Sequence, residues 1–532
     1  MITKKLLLAL FVMMLPMVVL AEKDKSVEID GIGYKLFLEK KEAEVVRNVY
    51  VSGSPDEGFT ARDAYYGEII IPSSINYDGV DYTVTSIDPQ AFSNNIDITS
   101  ITIPNSITRI EDRSFDLCEN LEKITISNGV VYIGKRAFSD CHSLKSITIP
   151  YGVKSIEEYT FYGCNNLVYV ELPNSVSRIE AYAFSECFDL KTITMPEKMS
   201  FIGEYAFSQC NSLQMIVIPD GIQTIEKGTF CDCGLKSVIF PNSVTSIRED
   251  AFLGCCNLSS ILLGDNIACI EKRAFMNCGF KTVKIPYGLT AIEEDVFNDC
   301  FNLKTVDIPN SVVTIGDRSF SGCRSLETIS IPDGVEIINA NTFYGCSSLL
   351  SVFLPSSIKN VEGFADCENL LDVTCQAMIA PKSNEYAFHL NTFDYGTLHV
   401  QSSAIDNYKE TTPWKYFQNI DAIEEVVPKK KKCVTPTIIF KEGLLYFSCE
   451  TEGVEYNYNI IPNGSKSGKG NNIPISTSYT ISVYASKDGF ENSDIATQTI
   501  QIERGDVNCD GIVNVADAVS IVNIILDNKC VQ

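Results

Sequence analysis

Between residues 68 and 375 apolar positions recur in a fixed frame of 23 residues, twice shortened to 22. Each row reads approximately Leu-x-x-Ile-x-Ile-Pro-x-x-Val-x-x-Ile-x-x-x-Ala-Phe-x-x-Cys-x-x, as from Leu144 through Ile147, Ile149 and Pro150 to Phe161 and Cys164. Phenylalanine keeps step at Phe92, Phe115, Phe138, Phe161, Phe184, Phe207, Phe230, Phe252, Phe275, Phe297, Phe320, Phe343 and Phe364, thirteen copies in all. Ile147-x-Ile149 alternates with period two, which predicts a short strand with one buried face, and Pro150 ends it by removing the next backbone donor. Val153, Ile156 and Phe161 supply further inward side chains on the returning half of the row. No single row can enclose so many apolar groups, so the rows must stack. At ~4.8 Å per rung, twelve stacked strands form a parallel sheet on the order of 55 Å long. Its two ends need covers.

The flanking segments supply them. Residues 22–67 carry strand-like runs without the row pattern, such as Tyr34 to Leu38 and Glu44 to Val46, and read as an N-terminal cap. Residues 376–427 read as the C-terminal cap, with one more strand at Gly396 to Val400 and aromatic bulk at Tyr408, Trp414, Tyr416 and Phe417. The lone Trp414 could serve as a ligand platform, but cap packing is the better account. After a lysine-rich linker at 428–432, residues 433–503 alternate as five short strands between Gly, Asn and Ser turns, a small β-sandwich. At the other end, Lys4 and Lys5 precede an apolar run from Leu6 to Leu20, and residues 1–21 read as a cleaved signal peptide. A secreted or cell-surface location follows, with no membrane insertion after cleavage.

The repeat row resembles the BspA-type leucine-rich repeat of exported proteins from Bacteroidetes and other host-associated microbes. The resemblance implies a curved solenoid used for binding, with adhesin-like recognition of host or microbial proteins or glycans. Asn95 departs from it by replacing the first row cysteine, and the rows around Phe230, Cys256 and Phe280 are shortened or irregular, as if to bend the coil.

Composition narrows the function. Lys plus Arg number 43 against 68 Asp plus Glu, a net charge of −25 that repels nucleic acid and anionic membrane. The three histidines, His142, His389 and His399, are scattered, and no carboxylate pair stands out of the repeat register, so the chain reads as non-enzymatic. Of 20 cysteines, twelve sit three residues after a row phenylalanine. Equivalent residues one rung apart hold their Cβ atoms wider than the ~3.8 Å of a disulfide, so this ladder reads as buried packing with weak S–H donors. Cys433 and Cys449, on neighbouring candidate strands, are as compatible with a disulfide as with free thiols.

Two candidate sites emerge. Asp506, Asn508, Asp510, Asn514 and Asp517 fall at positions 1, 3, 5, 9 and 12 of a loop with Gly511 at its tight turn and the Ile512 carbonyl at position 7, the spacing of a Ca2+ loop for one ion. With its terminal Asp517 and the following helical pattern, the segment 504–532 resembles half of a type I dockerin, which implies a cohesin-type scaffold as partner. The chain would then be a non-catalytic subunit of an extracellular polysaccharide-degrading assembly, the alternative to a free-standing adhesin. The second site lies in the outward column between the two strand isoleucines, which is mainly polar but turns apolar at Val217, Ile239 and Leu262, with Met215 alongside. This strip is either an exposed ligand contact or a local burial. The fold expected overall is a β-rich solenoid, a leucine-rich repeat superhelix with short parallel strands, followed by a small β-sandwich and a single EF-hand-like or dockerin-like loop and helix.

Overall fold

The computed structural model describes residues 24–47, 65–423 and, with short gaps, 432–503. The signal segment 1–21 lies outside the described residues, as does the segment 504–532 with Asp506, Asn508, Asp510, Ile512, Asn514 and Asp517.

The repeat winds into a β-solenoid of roughly fifteen turns, and each rung has three sides. The first is the strand read from Ile-x-Ile. In Ser146–Thr148, Ile147 is buried and Thr148 exposed, and the strand pairs in parallel with Tyr169–Glu171 of the next rung, Ile147 opposite Val170. The Pro150 carbonyl then accepts from the Val153 N–H at 3.1 Å and turns the chain. The second side is a further column of two-residue parallel strands at the Val-x-x-Ile half-row, for example Ser155–Ile156 against Arg178–Ile179 and that against Phe201–Ile202. The sequence pattern did not announce these strands, because each is two residues long with a single fully inward residue, too short to show alternation.

The third side, carrying Phe-x-x-Cys, is a stack of turns. Successive N–H groups alternate between bonds within a rung, Asp116 to the Arg113 carbonyl at 3.2 Å, and bonds to the next, Phe115 to the Ala137 carbonyl at 2.8 Å. This alternation holds the residues two before and two after each phenylalanine from Phe92 to Phe320 in the left-handed region, Arg113 at φ 57° and Leu117 at φ 63° around Phe115. Gly163 occupies the second of these positions at φ 68°, where a side chain would also press on Asp140.

Inside, the thirteen phenylalanines stack nearly parallel, centroids 5.0 to 5.9 Å apart, from Phe92 to Phe364. Phe388 adds a fourteenth ring, 5.6 Å beyond Phe364. One continuous apolar core runs from Ile32 to Phe417. Both ends are closed. Strands Lys25–Ile29, Ile32–Phe37 and Glu42–Val45 form an antiparallel meander whose last strand joins Val80–Ile87 in parallel and so feeds the second column. Tyr65 lies 4.6 Å from Phe92, and Asn95 is buried beside it. At the far end Phe393, Trp414 and Phe417 meet Phe388 edge-on, 5.5 to 5.8 Å away. Trp414 is fully buried, its indole N–H donating to the Pro381 carbonyl at 2.8 Å, so it packs the cap and offers no platform.

The repeat fades in sequence after Cys375, yet the strand column continues. Thr397–Val400 pairs in parallel with Asp372–Cys375, and Asn419–Ala422 pairs with Thr397–Val400. Backbone bonding persists there without the row's side chains, across an inserted helix at Leu390–Tyr395. The column is interrupted around the shortened rows, where residues 260–263 form no strand. After the linker come two small antiparallel sheets, Thr437–Lys441 with Leu444–Ser448, and Glu455–Asn463 with Ser476–Ser486 and Ala496–Glu503.

Candidate binding surface

Every rung places its large apolar side chains inward, which leaves the outward columns free to vary. On the strand side the outward residues include Thr125, Thr148, Glu171 and Ser330, all exposed. Met215, Val217, Ile239 and Leu262 lie on this same face, as the alternation requires, but they are not open to solvent. Ile239 and Leu262 keep only 8% and 7% of their surface exposed. Ile239 joins Ile438, Ile481 and Val483 of the C-terminal sheets in a cluster separate from the solenoid core, with Met215, Val217, Phe447, Tyr456 and Tyr458 packed against it. Of the two readings open from sequence, an exposed ligand contact or a local burial, the structure shows burial, against the chain's own C-terminal module. Burial does not come from a local twist of the short rows. Polar groups edge the contact: Thr282 Oγ1 donates to Asn457 Oδ1 at 2.9 Å, and Lys281 Nζ lies 3.4 Å from Glu455.

On the turn side, near the N-terminal end, an open cleft of about 450 Å³ is lined by Gln90, Asp112, Arg113, Lys135, Arg136 and Glu158, with Pro89 and Tyr159 completing it. Lys135 pairs with Glu158 at 3.0 Å, and the Arg136 guanidinium lies 4.3 Å over the Tyr159 ring. Tyr159 in turn stacks on Tyr182, and Tyr182 on Tyr205, at 4.7 and 5.1 Å. Stacking uses up the faces of these rings. Arg113 is exposed at the mouth of the cleft. The cleft therefore offers both hydrogen-bond donors and acceptors, beside a guanidinium, to a polar ligand. Sequence reasoning missed it, because its residues are spread over rungs that only stacking brings together.

The histidines remain apart and serve locally. His142 Nδ1 lies 2.8 Å from the Gly163 carbonyl, His389 accepts from the Asn391 N–H at 3.2 Å, and His399 sits 3.9 Å from Asp372. Among the described residues no group of three or more His, Cys, Asp or Glu is placed to hold a metal ion. All twelve ladder thiols are buried and donate to the phenylalanine carbonyl of the preceding rung at 2.9 to 3.2 Å, as in Cys233 to Phe207 and Cys187 to Phe161. Burial pushes the thiols of Cys141, Cys187 and Cys323 well up, and those of Cys118 and Cys300 to about 12. Cys433 and Cys449 are free thiols, Cys449 donating to the Val434 carbonyl at 3.0 Å. No described helix is long and apolar enough to cross a membrane.

Among solved structures, a leucine-rich repeat protein from Bacteroides ovatus is 27% identical, over 66% of this chain and 94% of that one, with a TM-score of 0.46. A leucine rich cell surface protein from Faecalibacterium prausnitzii is 24% identical over 66% and 95%, TM-score 0.40, and the pneumococcal vaccine antigen PcpA is 20% identical over 76% and 99%, TM-score 0.41. No curated protein matches. The model of the BspA type leucine rich repeat region matches residues 85–214, 133–259, 178–304 and 268–393, together more than half the chain. With its rungs, phenylalanine stack and thiol ladder in that same frame, the chain belongs to the BspA-type leucine-rich repeat family.

Proposed function

We propose that the chain is an exported, non-enzymatic recognition protein of a bacterial surface, whose solenoid binds a protein or glycan on host or neighbouring cells. One observation carries this reading. The inward columns repeat the same residues rung after rung, while the outward strand column changes from Thr148 to Glu171, Lys284, Asp307 and Phe353. A surface that varies over a constant core is a means of specifying a ligand, as in other solenoids that bind along an extended face. The cleft at Arg113 and Arg136 suits polar or acidic groups, and the acidic remainder of the chain leaves no comparable reason to attract nucleic acid.

The loop from Asp506 to Asp517 belongs to the proposal as a binding site for one Ca2+ ion, supported by its ligand spacing. If it docks on a cohesin-type scaffold, the solenoid becomes the recognition arm of a larger extracellular assembly. The direct test is to screen the purified full chain against extracellular-matrix proteins and a glycan array. Saturable binding without change in the bound glycan supports the reading. Release of new reducing ends would replace it with an enzyme.

A further inference from the structure

The apolar strip is an addition to the solenoid that the stack does not need. Met215, Val217 and Ile239 point away from the core that holds Ile216 and Val238, and they contact a different cluster. With Leu262 they span three consecutive rungs, and the C-terminal sheets sit over them. The residues at its edge on the next rung are matched as well, Lys281 with Glu455 and Thr282 with Asn457. Agreement between where the outward column turns apolar and where the module lands makes the strip a built seat for that module.

The seat is reachable within one chain. From the rung of Thr282, at the near edge of the seat, to the last strand at Asn419–Ala422 the column advances six rungs, roughly 29 Å. The nine steps of chain from Ile423 to Lys432 span at most about 32 Å when extended. The module can therefore fold back along the solenoid that precedes it. The contact is also imperfect. A cavity of about 20 Å³ lies among Met215, Ser237, Ile239, Leu262 and Tyr458, and neither the Tyr458 hydroxyl nor Ser237 Oγ has a hydrogen-bond partner among the described residues. Buried unpaired hydroxyls carry a desolvation penalty that opening removes. Because the seat shares no buried side chain with the solenoid core, the module can leave without unwinding a rung.

We propose that the C-terminal sheets form a reversible lid, held in cis on the strand face over Met215, Val217, Ile239 and Leu262, which any partner of that face must displace. This rests on the reading of the solenoid as a recognition surface, and it adds the regulation of one face. Opening exposes a contiguous apolar strip, a surface suited to another protein. The closed form hides it.

The test uses the full chain and needs no ligand. Small-angle scattering and 8-anilino-1-naphthalenesulfonate fluorescence are measured for the wild type, for Thr282→Arg, which drives bulk into the seat from the solenoid side, and for Glu455→Lys, which reverses the ion pair at its edge. The expected result is a compact wild type with weak dye binding, and a T282R chain of larger maximum dimension with severalfold brighter dye. Its thermal midpoint should stay within about 2 °C of wild type, and E455K should lie between the two. A wild type already extended, a T282R chain as compact as wild type, or a module seated on a second copy, seen as a concentration-dependent dimer, would each overturn the lid. A lid that opens as described while the full chain binds nothing in the ligand screen would count against the recognition reading alone.

Discussion

The thiol of Cys141 donates to the carbonyl oxygen of Phe115, 3.2 Å away on the preceding rung. The same oxygen accepts from the Cys118 N–H at 3.2 Å, closing a turn within its own rung. One carbonyl thus ties a turn and two rungs together, and the relation recurs down the coil. A cysteine is small enough to sit under the phenylalanine stack and can still satisfy a buried acceptor.

This arrangement fixes the reactivity of the thiols. In the native chain Cys256 and Cys269, both exposed, should react readily with iodoacetamide, while the twelve ladder thiols react only on unfolding. Mass spectrometry of native and denatured samples reads the difference. Rapid native alkylation of Cys141 or Cys187, or their recovery as disulfides, would contradict the ladder.

Stability should also fall at alkaline pH. Below the ordinary thiol value of 9.0 the folded and unfolded chains are both protonated there, and the thiols add no pH dependence. Above it the unfolded chain loses protons that the buried thiols keep, so stability declines as pH rises toward about 12, where Cys118 and Cys300 ionise. The urea midpoint should drop between pH 8 and pH 10.5. Replacing three ladder cysteines by alanine should flatten that slope while lowering stability at pH 8, by about 1–2 kcal/mol each.

Trp414, the single tryptophan, closes the far end of the phenylalanine stack and is fully buried. Its emission should be blue-shifted and insensitive to iodide until the cap unfolds. Trp414→Ala should cost about 3–5 kcal/mol in chemical denaturation.

Leu117 occupies a left-handed position, φ 63°, with 38% of its surface exposed. Leu117→Gly should change stability by less than about 1 kcal/mol, since relief of the left-handed strain is offset by the loss of the buried part of the side chain. Gly163→Val, at the equivalent place in a later rung, should destabilise it by more than that amount. Thermal melts should show the Gly163→Val chain unfolding well below both wild type and the Leu117→Gly chain.

These cases show what was legible beforehand. The frame of Phe161 and Cys164 is visible because the stack demands the same large ring and the same small donor at each rung. The five strands after the linker were visible from their alternation and turn residues. The second strand column was hidden, since Ser155–Ile156 or Arg178–Ile179 has one apolar residue and looks like loop. Phe388 was hidden because the helix at Leu390–Tyr395 and the changed row remove its context. The apolar turn of the outward column at Val217, Ile239 and Leu262 could be seen. What covers it could not, because the covering residues Ile438, Ile481 and Val483 lie some two hundred residues away and reach it only through the tertiary fold.

The measurement that bears most directly on the solenoid as a recognition surface is surface plasmon resonance of the full chain on the proteins and glycans retained in the screen, with Arg113→Glu/Arg136→Glu as the paired variant. Neither residue belongs to the core, so the variant should melt within a few degrees of wild type. For a ligand seated in the cleft the account predicts saturable binding that weakens at least tenfold in the variant. If no panel member binds saturably, or if wild type and variant both convert a panel glycan to products, the account is contradicted.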